Sequence, residues 1–392
     1  DVDGSRVAAV NAGCSPVAGV PADGLGAVVA ARRLHATEDV TALKDADAIV
    51  VCVPVPLGMS RTPDIAHVAA AADAVASVLR PGQLVVLEST AYPGTTREVL
   101  RPRVEARGLC AGEDVFLACS PARLDPGDRR RALRDVPKVV GGITPTCRAL
   151  AAALYGRLTR VVEVSSPEAA EMVKLLETTF RAVNIALVNE VTTVCRRLGL
   201  DVWEVADAAA TKPFGFMPFQ PGPGLGGHAV PSDPAYRSWC MRLEGSEPRF
   251  IALADEINRR MPEHVLQLLA DALNDRGRAV RGARVLVLGV AYQADVADTR
   301  DSPALEVLAG LARRGTHVAY HDPHVPHVVL PGGARLESLD GAALDLRAWD
   351  AVLILTAHAG TDWARVVREA PLVVDARNAT GRLGRAPNVV RL

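Results

Sequence analysis

The sequence predicts an α/β protein with two doubly wound, Rossmann-like domains, joined by a long central helix and a helical middle domain. Three observations predict it. Short β-branched runs alternate with helical patterns at the front of the chain and again at its back. Between Pro167 and Gly199 a helical pattern runs without a single Gly or Pro. The 392 residues exceed what one ordinary core encloses. The expected domains are 1–165, 166–275 and 276–392.

The opening "DVDGSRVAAVNAG" is an acid followed at once by a helical pattern, and it starts at Asp1 rather than Met. It reads as a fragment or a chain trimmed at its front. "GLGAVVA" (24–30) follows no strand, and no GxGxxG phosphate loop stands near the front. "DAIVVCVPV" (47–55), "QLVVLEST" (83–90), "DVFLACSP" (114–121) and "KVVGG" (138–142) read as strands. A helix over 64–82 separates the first two and stops at Pro81-Gly82. This alternation predicts a parallel sheet with helices on both faces.

In the middle, Ser166 suits an N-cap, Pro167 the first helical position and Gly199 the stop. A helix over 166–199 spans roughly 45–50 Å, long enough to join two domains or to form a dimer interface. A second helix is expected over 201–210. At the back, 283–292, 316–323, 350–358 and 371–378 read as strands. A helix over 302–315 has Ser302 as cap, Pro303 first and Gly315 at its end. Open sheets hold ligands beyond the carboxyl ends of their strands. "CVPVP", "LEST", "GVAY" and "HDP" are therefore the expected contact segments.

Composition narrows the function. Apolar content of 49% and charged content of 23% describe a soluble globular protein, expected in the cytoplasm. A net charge of -1 and the lack of a polybasic run argue against nucleic-acid and membrane partners. Apolar runs are too short to span a bilayer, and no secretory signal is visible. Seven scattered cysteines without a CxxC pair fit free thiols and argue against a structural zinc. Basic residues are nearly all Arg. The four lysines (Lys44, Lys138, Lys174 and Lys212) are candidates for ammonium chemistry, with plain surface placement as the alternative.

Lys174 and Thr178 lie one helical turn apart and share a face. With Asp233 they could line a polar cleft where a base and a water meet a hydroxyl; an ordinary solvated lysine is the other reading. His321, Asp322 and His324 form too weak a pattern to assign a metal, and none is assigned. The loop 211–234, "TKPFGFMPFQPGPGLGGHAVPSDP", is the strongest signal. Long loops of this kind are more often functional than decorative. Gly222, Gly224, Gly226 and Gly227 permit close backbone approach to a ligand, and His228 follows them. The centre of this reaction-like loop is Ala229, whose methyl group does no chemistry.

Together, "VCVPVPL", "LESTAYPGTT", "SPARLDPGD", "KVVGG", "AAEMVKLLETTFRAVNIALVNE", "GPGLGGHAVPSDP", "GVAYQADVADTRDSPALE" and "YHDPHVP" resemble the nucleotide-sugar 6-dehydrogenase family. The chain is most similar to its UDP-N-acetylglucosamine branch, and the match covers essentially all 392 residues. The resemblance implies an N-terminal NAD-binding domain, a central helix at a homodimer interface and a C-terminal domain that binds a UDP-sugar, here a UDP-N-acetylhexosamine. It also implies a four-electron oxidation. The sugar C6 alcohol loses a hydride to NAD, a cysteine thiolate captures the aldehyde, a second hydride leaves, and water releases the uronic acid.

Residue by residue, the resemblance places Asp1 at the adenosine ribose and Thr90 at the nicotinamide and reaction centre. Val53, Pro54 and Arg300 fall in its cofactor-contacting segments. Lys174 and Asp233 are its proton-handling pair. Lys174, Lys212, Phe214, Gly222, Gly224, Gly226, Gly227 and His228 match its substrate contacts, and Arg300 the ligand-contacting arginine of its C-terminal motif. The chain departs from the family at Ala229 (cysteine nucleophile), Ala122 (glutamate), Thr178 (asparagine) and Gln293 (lysine). It also lacks the glycine-rich pyrophosphate loop, which puts NAD binding by this chain in question. Without a thiol at 229 no thioester forms there, and Cys240 is poorly placed to substitute. The expectation is a family member that binds a UDP-sugar and makes acid very poorly. An active alcohol–aldehyde oxidoreductase and a non-catalytic dimer partner of an active paralogue are the alternatives.

Overall fold

A computed structural model describes residues 1–17, 20–56, 64–124, 132–227 and 248–392. These residues form two compact units that divide inside one long helix. The first ends at Glu177 and the second starts at Thr178.

The first unit opens with helices α1 (Gly4–Asn11), capped by the Asp3 carboxylate, and α2 (Ala22–Ala30). Then follow β1 (Ala48–Val51), α3 (Ala66–Val78) and β2 (Leu84–Leu87). A π-helical turn, Thr96–Leu100, runs into α4 (Arg101–Glu105). Next come β3 (Phe116–Cys119), β4 (Lys138–Gly142), α5 (Pro145–Tyr155) and β5 (Val161–Glu163). The strands form one sheet in the order β1-β2-β3-β4-β5. Alternation along the strands sorts its two faces. Ile49, Val51, Val85 and Leu87 pack with Val68 and Val75 of α3. Leu84, Val86, Ala118 and Val140 pack with Ala151 and Tyr155 of α5.

One expectation is corrected here. The sheet is not wholly parallel, because β4 runs antiparallel to β3. A parallel return needs a long crossover, usually a helix. Between β3 and β4 the described residues hold only a short 3₁₀ turn, Leu133–Asp135. The helix α5 then carries the chain from β4 to a parallel β5. The double glycine of "KVVGG" has a packing cause. A Cβ at Gly141 would collide with the Ser166 carbonyl, and one at Gly142 with the backbone of Arg148.

Helix α6 (Pro167–Leu198) extends over about 48 Å at 1.5 Å per residue. The Ser166 hydroxyl accepts the Ala169 N–H at its start. At its end Gly199 turns left-handed (φ +70) and the Leu200 N–H reaches back to the Cys195 carbonyl, closing a Schellman-type stop. The second unit continues with α7 (Val202–Ala210), capped by Asp201, and α8 (Arg249–Asn274), which contains Pro262. Then come β6 (Arg284–Leu288), α9 (Pro303–Arg313), β7 (His317–His321), the hairpin of β8 (His327–Val329) and β9 (Arg335–Glu337), β10 (Ala351–Ile354), α10 (Trp363–Glu369), β11 (Val373–Asp375) and β12 (Val389–Arg391). The large sheet runs β7-β6-β10-β11-β12, with every pair parallel. Val285, Val287 and Leu353 pack with Val265 and Leu269 of α8 and Leu308 of α9; Leu286, Val352 and Ile354 meet Val366 of α10 on the other face.

Strand β4 spans all of the expected 138–142, while β1, β2 and β3 are shorter than the runs that foretold them because residues at the ends of those runs enter loops. No helix among the described residues is long and apolar enough to cross a membrane.

Candidate functional site

In the first unit the carboxyl ends of β1 and β2 are strapped together. The Ser89 hydroxyl accepts the Val53 N–H at 2.8 Å and donates to the Val53 carbonyl at 2.7 Å. Half-buried Thr90 follows, beside half-buried Val53, with Pro54 exposed. Four residues on, the chain is clamped to α6. The buried Glu171 carboxylate accepts the Gly94 N–H (2.6 Å), the Thr96 N–H (2.9 Å) and the Thr96 hydroxyl (2.7 Å). Burial pushes this carboxyl up to about 7, against the pull of those donors. Glu171 sits three residues before buried Lys174, so the Thr90 segment and the Lys174 helix share one anchor.

Ala122 is exposed, and its N–H donates to the Glu88 carbonyl. Lys138 is not free for chemistry: its ammonium lies 2.8 Å from Glu88, donates to the Ser120 carbonyl and sits over the Tyr155 ring. Asp1 is exposed, and its carboxylate accepts the Asp3 N–H.

In the second unit a cleft of about 260 Å³ opens at the carboxyl ends of β6 and β10. The sheet's order reverses between these two strands, the switch point where open α/β sheets bind ligands. Tyr292, Gln293 and Ala294 line it after β6, and Thr356 and Ala357 after β10. Gln220, Gly222, Gly224 and Gly226 bring in the glycine loop, and Arg181 and Arg377 supply two guanidinium groups. No carboxylate is among the lining residues that are described. Arg377 is half-buried and its Nε donates to the Leu355 carbonyl. Burial, with Arg181 beside it, pulls its pKa down to about 10.

The glycine loop is held from below. The Gly222 N–H donates to Asn189, which bonds to Asn258 of α8. The glycines serve more than ligand approach, which revises the sequence reading. A Cβ on Gly222 would lie 2.7 Å from the Arg377 guanidinium, and one on Gly226 would lie 2.7 Å from the Asp301 carbonyl. At Gly227 (φ +95) a Cβ would meet the Tyr292 ring at 2.6 Å. The protein's own packing therefore requires glycine at 226 and 227, while at 222 a side chain would displace the Arg377 guanidinium.

Other expected residues lie apart from the cleft lining. Arg300 is exposed and bonded through two nitrogens to Asp298. Exposed Lys212 sits over the exposed Phe214 ring. Thr178 is buried on α6. His228, Ala229 and Asp233 lie outside the described residues, as does Cys240. His321 bonds the Leu339 carbonyl and joins no metal-ligand group among the described residues. Instead Asp295, His324 and His358 approach one another within 4.8 Å. Both His358 nitrogens are already engaged, by Asp322 and by the Asp295 N–H, so the trio reads as a hydrogen-bonded network. A larger cleft of about 420 Å³ lies by Arg196, Asp201 and Arg391. Two of its cations have acidic partners, since Arg196 pairs with Asp271 and Arg391 faces Asp201, and Arg385 also lines it.

Family models cover most of the chain. The NAD-binding domain of the UDP-glucose/GDP-mannose dehydrogenase family matches residues 1–159, its central domain 168–260 and its UDP-binding domain 286–382. The chain belongs to the UDP-glucose/GDP-mannose dehydrogenase family. It is 33% identical over 328 residues to the UDP-N-acetyl-D-glucosamine 6-dehydrogenase of Pseudomonas aeruginosa, covering 83% of this chain and 76% of that one. It is 34% identical to an NDP-N-acetyl-D-galactosaminuronic acid dehydrogenase of Ralstonia solanacearum (85% and 78% covered). Among solved structures, a UDP-D-ManNAc dehydrogenase from Pyrococcus horikoshii superposes with a TM-score of 0.89 at 29% identity, covering 100% of this chain and 91% of that one.

The family is one of NAD-dependent oxidoreductases, and in this UDP-glucose/GDP-mannose dehydrogenase chain the cleft is lined jointly by the segment matched by the UDP-binding domain, from Tyr292 to Arg377, and by the segment matched by the central domain, from Arg181 to Gly226. Sequence reasoning passed over Arg181 and Arg377. Arg377 carried one usable signal: it follows the apolar run "PLVV" within "DARN", just past a strand's carboxyl end.

Proposed function

We propose that this protein binds a UDP-N-acetylhexosamine through the β6–β10 cleft and NAD through its first unit, and forms uronic acid very slowly. The observation that carries the reading is a pair of guanidiniums, Arg181 and Arg377, that line one cleft at the switch point of the sheet. Two like charges held together favour a bound dianion, and a planar guanidinium matches phosphate oxygens. The cleft is smaller than the roughly 300 Å³ at which pockets for whole drug-sized ligands begin, which suits part of the ligand, its diphosphate. Relatives named for UDP-N-acetylglucosamine and UDP-N-acetylmannosamine support the sugar class.

Val53, Pro54 and Thr90 fit the nicotinamide end of NAD, because they share the carboxyl edge of two adjacent parallel strands. Bound NAD supplies the hydride acceptor. Lys174 and Asp233 handle the proton of the C6 hydroxyl, and Glu171 holds the Thr90 segment against the helix that carries Lys174. The acid-forming half of the reaction fails for want of a nucleophile: Ala229 has no thiol, and loss of a covalent nucleophile costs several orders of magnitude in rate. Retention of a buried Lys174 favours a second reading, a one-step alcohol–aldehyde oxidoreductase.

NADH formed per UDP-N-acetylglucosamine consumed tests both. None, or two at a very slow rate, supports the first reading, one the second, and two at an ordinary rate would overturn both. Ala229→Cys, with Ala122→Glu and Thr178→Asn, is expected to raise uronate formation by several orders of magnitude.

Assembly as a homodimer through α6 rests on a stripe of exposed Leu176, Phe180, Leu187, Val194 and Leu198. At 100° per residue these five fall within about a 40° arc. Light scattering on Leu187→Glu with Val194→Glu should report a monomer; an unchanged mass rejects this interface.

A further inference from the structure

We propose that Asp322 and His358 are a positioning pair that shapes the β6–β10 cleft without touching what it binds. The inference rests on the reading of that cleft as a UDP subsite. Both side chains are buried, at 3% and 2% exposure, and neither lines the cleft. The His358 Nε2–H donates to Asp322 Oδ2 at 3.0 Å. The same Asp322 oxygen accepts the Val290 N–H at 2.7 Å and the Ala291 N–H at 3.0 Å, and the other accepts the His324 N–H at 2.9 Å. On its far side His358 Nδ1 accepts the Asp295 N–H at 3.0 Å. Only the neutral ring with its proton on Nε2 makes both bonds.

The segment between these anchors is 290–295, and its Tyr292, Gln293 and Ala294 are cleft walls. It needs holding. Asp295 sits at φ +61, a left-handed conformation uncommon for a residue with a side chain. The Asp295 Oδ1 accepts the Ala359 N–H at 3.0 Å, and the Thr356 hydroxyl donates to the Ala291 carbonyl at 2.6 Å. The loop after β10 thus grips the loop after β6 through His358 at one point and Thr356 at another. Burial alone would raise the Asp322 carboxyl; the His358 bond and the amides of Val290 and His324 outweigh it and hold it at about 2. A carboxylate kept ionised there keeps all its acceptor sites for the loop.

Two substitutions separate the two bonds. His358→Gln retains a donor that reaches Asp322 and loses the acceptor for Asp295. His358→Asn retains an acceptor near Asp295 and loses the reach to Asp322. Calorimetry with UDP is expected to show binding weakened roughly tenfold in each, and more in Asp322→Asn, while NAD affinity stays within twofold. Amide hydrogen exchange should quicken at Asp295 in the Gln variant and at Val290 and Ala291 in the Asn variant. UDP affinity within twofold of the parent in both His358 variants, with unchanged exchange over 290–295, would overturn the pair. A parent that binds no UDP removes the cleft reading, while the exchange pattern still decides whether the pair holds the loop. Should Asp322→Asn not fold, the two His358 variants carry the test, their folding checked by thermal unfolding.

Discussion

The two units handle buried cations in opposite ways. In the first, Lys138 is buried and neutralised at 2.8 Å by Glu88, which Tyr155 also bonds. In the second, half-buried Arg377 has another guanidinium, Arg181, beside it. An ion pair completed within the protein is structure; taking a charge out of water is tolerable because its partner travels with it. Two cations side by side gain most when an anion arrives. The comparison teaches that a cation's neighbours, more than its burial, separate the two arrangements, and it supports the proposal that the second unit's cleft receives an anion.

The largest effect should come from breaking the completed pair. Lys138→Met strands the Glu88 carboxylate and is expected to cost roughly 3–5 kcal/mol of stability by denaturant titration, with UDP affinity unchanged. A small loss there would erase the contrast between the units.

A second buried ionisable group of the first unit, Glu171, is held by backbone and hydroxyl donors. Its native pKa of about 7 lies above its ordinary 4.5, so the folded chain holds this proton more tightly than the unfolded one. Its contribution is full below the ordinary value and is lost as pH rises through 7, on the order of 3 kcal/mol. Stability of the parent should fall over that window while Glu171→Gln stays flat; parallel curves for the two would count against it.

Next in size, Arg377→Met should weaken UDP binding by about 30-fold, on the order of 2 kcal/mol, and leave unfolding within about 1 kcal/mol. A large loss of stability with little loss of affinity would make Arg377 structural, like Lys138. The smallest effect belongs to a control in the second unit. Arg335→Ala breaks an exposed pair with Glu337 and should move stability by less than about 0.5 kcal/mol.

Much of this fold was legible. Ser166-Pro167 and Gly199 bounded α6 to within a residue, and Ser302-Pro303 bounded α9, because caps act within one turn of the chain. Helix α8 was harder to read, since Pro262 interrupts its pattern. The candidate site was legible in part. The segments "GVAY" and "CVPVP" were expected at ligand edges and stand at strand ends. The Asp322–His358 pair was not legible: its members are 36 residues apart, in the loops after β7 and β10, and no local pattern joins them.

By itself, the sequence determined the bounds of α6, the start of α9 and the alternation of strand and helix. Each of these is written within a few consecutive residues or at one position. Tertiary structure alone decided that β4 turns back against β3, that Arg181 and Arg377 face one cleft, and that His358 grips Asp322. Those facts depend on which strands become neighbours, and neighbours are chosen by the packing of the whole sheet.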